Sequence, residues 1–322
     1  MFNIFKIVEN RRYYFILSLF LIIPGLIAMA YNVITLPTNT PWKLSPDFLA
    51  GNRFEMAFNG PITEGQIRSV FNQFGVTNPS VTRLGSEQDN TWQARTIFIE
   101  GQRAQEIRSA LNEIAPLDES RSTVQSVSPT VASQVTQTAL IAIVVASGVI
   151  LLYIWWSFRK AEHAIRYSVC AILALVHDVL IAAGFTALMG ILFDWEIDAL
   201  FITAMLTVLG FSVQDTIVVY DRIRENLTRR RGDSFETIVG RSVVETLHRS
   251  FTISLTNFLV MVALLLFGGA SIKQFIAVML VGLISGTYSS IFTAVPMVVA
   301  WFEKDLLGTK HRTVAARAPA AK

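Results

Sequence analysis

Residues 199–220 read ALFITAMLTVLGFSVQDTIVVY, an apolar run long enough to cross a bilayer that carries a single carboxylate, Asp215. A helix lets such a run satisfy its own backbone polar groups in lipid. A charge at mid-bilayer costs at least about 2.5–3.5 kcal/mol on insertion scales, so Asp215 is expected to face partners and not lipid. The run therefore reads as a transmembrane helix built around one ionisable group.

Five further apolar runs, at about 13–31, 140–156, 165–193, 251–267 and 275–302, have comparable character. The chain thus reads as a polytopic α-helical membrane protein with six transmembrane helices. Composition agrees: 52% of residues are hydrophobic and 16% charged, against about 25% charged in soluble domains, and the mean hydropathy is +0.48. The net charge of +3 says little as a sum. A lone cysteine, Cys170, excludes an intrachain disulfide framework and sits in an apolar run as a small packing residue.

The placement of charge sets orientation. Lys6, Arg11 and Arg12 precede the first run; Arg159, Lys160 and Arg166 separate the second and third. Arg222, Arg224, Arg229, Arg230, Arg231, Arg241 and Arg249 lie between the fourth and fifth, and Lys304, Lys310, Arg312, Arg317 and Lys322 follow the sixth. The opposite short loops hold Asp194-Trp195-Glu196-Ile197-Asp198 and Lys273. Six spans put every basic cluster on one side, which the positive-inside rule makes the cytoplasm, with both termini there. The basic start and Ala28-Met29-Ala30 resemble a cleavable signal peptide, but the apolar stretch is longer than a signal core and reads as a retained anchor.

Four parts follow: 1–35, the cytoplasmic N-terminus and first helix; 36–136, a polar domain outside; 137–303, a five-helix membrane bundle with a basic cytoplasmic linker at about 222–249; and 304–322, a cytoplasmic tail expected to be disordered. In the outside part, residues 54–58 alternate as a half-buried strand. Pro61 and Thr63-Glu64-Gly65-Gln66 mark a helix start with a capping-box pattern, Ile67, Val70, Phe71 and Phe74 its apolar face, and Gly75 its stop. Strands are expected at 80–84 and 91–99 across a turn, a helix at 105–114 with Ile107, Leu111 and Ile114 inward, and a strand at 122–127. This order fits a small α+β, ferredoxin-like periplasmic domain between the first two membrane helices. Within the linker, Phe235, Ile238, Val239, Val243 and Leu247 suggest an amphipathic helix on the membrane surface, in contact with anionic lipid or a neighbouring subunit, lipid being the default.

The candidate functional groups are polar residues within the spans. His177 and Asp178 interrupt the third, Asp215 the fourth, and Arg249 stands at the entrance of the fifth. Thr203, Thr207, Gly210 and Gln214 follow helical spacing on the fourth span and suggest an internal face, with Ser212 within side-chain reach of Asp215 and Thr216 beside it. Ser250, Ser254 and Asn257 share a face of the fifth, flanked by Thr252 and Thr256. In the sixth, Gly282, Gly286 and Ser290, and likewise Ser285, Ser289 and Thr293, repeat every four residues and read as packing seams. Should Asp215 face Arg249, their relative movement would alter proton affinity, because a nearby cation favours the anionic form. One charge moved through 100 mV is worth about 2.3 kcal/mol, enough to bias a two-state packing of helices.

Gly210-Phe211-Ser212-Val213-Gln214-Asp215-Thr216-Ile217-Val218-Val219-Tyr220-Asp221-Arg222-Ile223-Arg224-Glu225-Asn226 is similar to the fourth-span signature of the SecF family. Ala174-Leu175-Val176-His177-Asp178-Val179 resembles its third-span motif, and Arg249-Ser250-Phe251-Thr252-Ile253-Ser254-Leu255-Thr256 the opening of its fifth span. The resemblance covers essentially the whole chain. It implies membership of the SecD–SecF, resistance–nodulation–division type of proton-driven transporters of the bacterial inner membrane. It further implies that Asp215 and Arg249 match the proton-pathway pair; that no cofactor is needed beyond protons; and that the partners are SecD, the SecYEG channel, YajC, YidC and unfolded preproteins, pulled after the ATP-driven stage. His177 and Asp178, read from their own place in the third span, are expected to extend that relay. Two departures touch the hinges of the outside domain. Asp47-Phe48-Leu49-Ala50-Gly51 replaces the common Asp-Phe-Thr-Gly-Gly, and Ser128-Pro129-Thr130-Val131-Ala132 replaces a glycine-bearing version.

Three rival readings have consequences of their own. A proton-coupled half-transporter for small molecules would share the architecture, and a scaffold-only translocon subunit would not need Asp215. Tyr220-Asp221 resembles part of an intramembrane aspartyl protease, but the Gly-x-Gly-Asp partner motif is missing, and there is no zinc-protease helix motif, nucleophile elbow or Walker loop. The chain is therefore expected not to be an enzyme.

Overall fold

The computed structural model describes residues 8–76, 79–84, 90–159, 164–229 and 233–303. The start at Lys6, the turn after residue 84, Lys160, Arg230, Arg231 and the tail at 304–322 lie outside them. In chain order the elements are α1 Arg11–Thr35, β1 Lys43–Leu44, α2 Pro46–Leu49, β2 Gly51–Ala57, α3 Glu64–Gln73, β3 Ser80–Leu84, β4 Thr91–Thr96, α4 Gly101–Ile114, β5 Thr123–Val127, α5 Pro129–Phe158, α6 Ala164–Phe193, β6 Glu196–Ile197, α7 Ala199–Arg229, α8 Phe235–Phe267, α9 Ala270–Ser289, a π-helical segment Ser290–Ala294, and α10 Val295–Glu303. Two compact units result, Leu44–Ile141 and the remainder.

In the smaller unit the strands stand in the order β3-β4-β2-β5, every pair antiparallel. Pairing Phe54 with Ala94 and Val124, and Ala94 with Val81, puts these residues on one face of the sheet. Onto that face α3 lays Ile67, Val70 and Phe71, and α4 lays Ala104, Ile107 and Leu111. Burying an aliphatic or aromatic side chain of this size stabilises by about 1.5–3 kcal/mol. Thr63 and Gln66 form the reciprocal capping box that opens α3. A Schellman closure ends it: Gly75, at φ 74°, donates to Asn72 and Val76 to Phe71. Ile114 departs from expectation. It is the last residue of α4, where the helix has run past the sheet, and it is 46% exposed.

The corner between α2 and β2 records the first family departure. Ala50 stands where the common pattern has glycine, and its backbone sits at φ 58°, ψ 151°. A side chain in that region costs about 1–3 kcal/mol. Ala50→Gly is expected to stabilise this corner by about 1 kcal/mol, the relief of strain being partly offset by the freer unfolded chain. Slower hydrogen exchange of the β2 and β5 amides in the full-length protein checks it.

Six helices are long and apolar enough to cross a membrane: Arg11–Thr35, Pro129–Phe158, Ala164–Phe193, Ala199–Arg229, Phe235–Phe267 and Ile272–Glu303. Each contains one of the six apolar runs. At the centre α6, α7 and α9 meet through small residues. A Cβ built on Gly286 would lie 3.2 Å from Ser212 Cα, and one on Gly282 only 2.1 Å from Val208 Cγ2. Gly25 of α1 and Gly184 of α6 touch backbone to backbone. Beside this crossing, Trp42 Nε1 donates to Ala183 O at 2.9 Å and Asn32 Nδ2 to Ala187 O at 3.5 Å.

The reading of the linker as a helix lying flat on lipid is corrected. Its apolar face belongs to α8, which runs unbroken into the fifth apolar run while α7 continues to Arg229. Val239 and Val243 are fully buried in one core with Tyr220, Ile223, Val298 and Val299, and Phe235 stacks on Phe302 at 4.4 Å. Polar groups lock the two helices together: Arg222 Nε donates to Glu245 at 2.6 Å, and Asn226 Nδ2 donates to Glu245 at 2.8 Å and to Ser242 at 2.9 Å. A face that finds protein to pack on has no need of a lipid surface.

Candidate functional site

Asp178 is fully buried on α6 and receives hydroxyls from α9. Ser285 Oγ donates to Oδ1 and Ser289 Oγ to Oδ2, each at 2.6 Å. These two serines lie four residues apart and so share one face of their helix. His177 Nδ1 lies 2.9 Å from Asp178 Oδ1. With the proton on Nδ1 the carboxylate takes three donors, its whole charge answered inside the chain. The far nitrogen, Nε2, is buried and meets no hydrogen-bonding group among the described residues. The imidazole ring lies against Tyr288, 6.2 Å between centroids, and Tyr288 Oη donates to Tyr14 O of α1 at 2.8 Å.

Asp215 is 7% exposed, on the face of α7 turned to α8. Ser254 Oγ donates to its Oδ2 at 3.4 Å, and Ser250, one turn earlier on α8, faces the same carboxyl. Behind them Thr287 Oγ1 of α9 donates to Ser254 Oγ at 2.8 Å. Asp215 is thus held by a long hydroxyl contact, and among the described residues no cation pairs with it. Arg249 is exposed on α8 and forms no ion pair with Asp215 among the described residues. The two buried carboxylates differ in kind: Asp178 is clamped by short bonds, and Asp215 is loosely held.

The neighbouring sequence candidates divide between two faces. Ser212 and Thr216 are buried on the Asp215 side of α7, Thr216 bonding back to Ser212 O at 3.0 Å. Gly210 and Gln214 are exposed, as is Thr203, so their stripe faces away from α6 and α9. The expectation of an internal face is therefore corrected for Thr203, Gly210 and Gln214. Helical spacing places residues on one stripe but does not say which neighbour that stripe meets. On α8, Ser250 and Ser254 point inward, Asn257 is half-buried, and Thr252 and Thr256 are exposed, each bonded to its own helix. Sequence reasoning missed the roles of Ser285, Ser289 and Thr287. The four-residue repeat of the serines was legible, but it reads equally well as a packing seam until Asp178 is seen opposite. No group of three or more His, Cys, Asp or Glu side chains gathers as a metal site among the described residues.

Residues 106–304 match the family described as protein export membrane protein SecD/SecF, C-terminal. A protein translocase subunit SecF from Thermobaculum terrenum is 41% identical over 95% of this chain and 97% of its own length. The chain belongs to the SecF family. A SecF from Anaerolinea thermophila is 40% identical over 92% of this chain and 94% of its own length. The SecDF of Bacillus subtilis is 31% identical over 92% of this chain, which spans 38% of that longer protein. Among solved structures, SecDF of Thermus thermophilus, titled a translocon-associated membrane protein, matches with a TM-score of 0.75 at 27% identity, covering 94% of this chain and 40% of that one. These SecF relatives are protein translocase subunits, and the arrangement of six apolar helices is that of a membrane protein in protein export.

Proposed function

We propose that this chain is the SecF half of a SecD–SecF motor of the bacterial inner membrane, which uses the proton-motive force to complete the passage of preproteins through SecYEG after the ATP-driven stage. The observation that carries the reading is Asp215, a carboxylate enclosed within a membrane-crossing bundle and bonded to the Ser254 hydroxyl, with no ion pair among the described residues. Such a group is retained at a cost of several kcal/mol unless it has work to do, and in membranes that work is commonly proton or ion transfer. Protons are the coupling ion, and no cofactor takes part.

Asp215 exchanges the proton, Arg249 approaches it in another arrangement of α7 and α8, and Asp178 with His177 extends the pathway. A SecDF structure titled as a super-membrane-facing form matches this chain with a TM-score of 0.60, below the 0.75 of the other. That relative thus has a named form from which this chain differs more. Both termini lie in the cytoplasm, and the α+β domain at 36–136 is periplasmic. Its strand order β3-β4-β2-β5 with two covering helices supports a ferredoxin-like fold. The chain does not act as an enzyme.

SecD is the principal partner, since this chain spans well under half of its SecDF relatives. The exposed polar stripe of Thr203, Gly210 and Gln214 on α7, with Arg249, Thr252 and Thr256 on α8, supplies its docking face. Polar side chains at membrane depth seek protein, and small residues admit a close helix. YajC and YidC complete the assembly beside SecYEG.

The test uses inner-membrane vesicles depleted of endogenous SecF and holding preproteins stalled after ATP-driven initiation. Supplying this chain with its SecD should restore completion when a proton gradient is imposed and not without it. Equal completion in vesicles lacking the chain would sink the motor.

A further inference from the structure

Three hydroxyls within five residues of α9 reach both buried carboxylates. An α-helix turns about 100° per residue, so Ser285 and Ser289 share a face while Thr287, two residues from each, points the opposite way. The serines hold Asp178 on α6, at 2.6 Å each. Thr287 holds Ser254 on α8, and Ser254 holds Asp215 on α7. Gly286, between Ser285 and Thr287, lies close against the backbone of Ser212, where a Cβ would come within 3.2 Å of its Cα. Immediately beyond, α9 widens into the π-helical turn Ser290–Ala294, a local irregularity of the kind that often accompanies functional sites in helices.

We propose that α9 is the coupling element between the two carboxylates, with Ser285 and Ser289 positioning Asp178 and Thr287 positioning Asp215 through Ser254. The inference rests on the reading of Asp215 as the proton-exchanging group. An ionised carboxylate only accepts hydrogen bonds, whereas a protonated one also donates. A proton arriving on Asp178 Oδ2 meets the hydrogen of Ser289. That hydroxyl has a second acceptor in Gly286 O at 3.3 Å, to which it can turn while accepting from Asp178. Likewise a proton on Asp215 Oδ2 can be donated to Ser254 Oγ, which must then release its own hydrogen in another direction, next to Thr287. Thr287 already shares its hydrogen between Ser254 and Leu283 O, both at 2.8 Å. Each carboxylate therefore sets the direction of hydroxyls on one and the same helix. With Gly286 tight against α7, α9 answers by rotating, and the π turn accommodates it.

Infrared difference spectra of the full-length chain in lipid nanodiscs, recorded between acid and alkaline pH, test this. Asp178→Asn and Asp215→Asn assign the carboxyl and carboxylate bands. Coupling is reciprocal. Ser285→Ala with Ser289→Ala should shift the Asp215 bands, and Thr287→Ala, which leaves the donors of Asp178 in place, should shift the Asp178 bands. Serines that serve only to seat Asp178 would move its bands alone, and that result overturns the coupling while leaving Asp215 as a proton carrier. Asp215 bands that do not respond to pH in the wild type would overturn the proton-exchange reading and the coupling with it.

Discussion

Asp215→Asn is expected to abolish the gradient-dependent part of export while the chain still folds, inserts and assembles. Asparagine matches aspartate in shape, and its amide oxygen can accept the Ser254 hydroxyl that the carboxylate accepts at 3.4 Å. At that distance the bond is weak, so the change in stability should stay within about 1 kcal/mol. What asparagine cannot do is take up and release a proton. The measurement compares completion of stalled preproteins by wild type and variant at equal membrane levels, with and without an imposed gradient. Completion should fall to the ungradiented level, with ATP-driven initiation unchanged. A variant that completes as well as wild type would show that proton exchange at this carboxyl is not what drives export, and would return the chain to a scaffold.

The same substitution at Asp178 has a different meaning. Its two oxygens accept short bonds from Ser285 and Ser289, with His177 closing on one of them. Asparagine there turns one acceptor into a donor, so the Ser289 hydroxyl must give up its 2.6 Å bond and turn to Gly286 O at 3.3 Å, which rearranges the packing around α9 whether or not a proton moves. Loss of export in Asp178→Asn alone would therefore not separate a proton role from a packing role. Asp215 is the sharper probe because its surroundings are looser.

Much of the fold could be read without coordinates because membranes and sheets impose strict periods. The runs around Pro24, His177 and Asp215 had to be helices, since lipid leaves the backbone no other partner. The alternation at residues 54–58 and the Thr63–Gln66 box marked β2 and the start of α3 for local reasons that the structure repeats. The errors arose where a stripe had two possible neighbours. Val239 and Val243 looked like a lipid-facing edge and met Tyr220 and Ile223 instead. Thr203, Gly210 and Gln214 looked inward and turned out exposed within this chain. Serines 285 and 289 differ in role from the packing residue Gly282 only through what lies across from them, which a one-dimensional pattern does not contain.

Gly184→Leu is expected to release α1 from α6. A Cβ at Gly184 would lie 2.6 Å from Gly25 Cα and 3.2 Å from Gly25 C, both backbone atoms. The helices must part, and with them go the bonds from Trp42 to Ala183 O and from Asn32 to Ala187 O that flank the crossing. Overpacking and two lost hydrogen bonds together cost about 3–5 kcal/mol, a large share of the stability of an ordinary domain. Thermal unfolding and protease accessibility of the purified chain in detergent would read it. Gly210→Leu is the instructive contrast. Nothing stands within 4 Å of a Cβ at Gly210, so the isolated chain should be unaffected. If the exposed stripe of α7 is where SecD docks, leucine there should abolish copurification with SecD while the Gly184 variant fails earlier, in its own fold. A Gly210→Leu chain that still recovers SecD at wild-type yield would move the partner to another face.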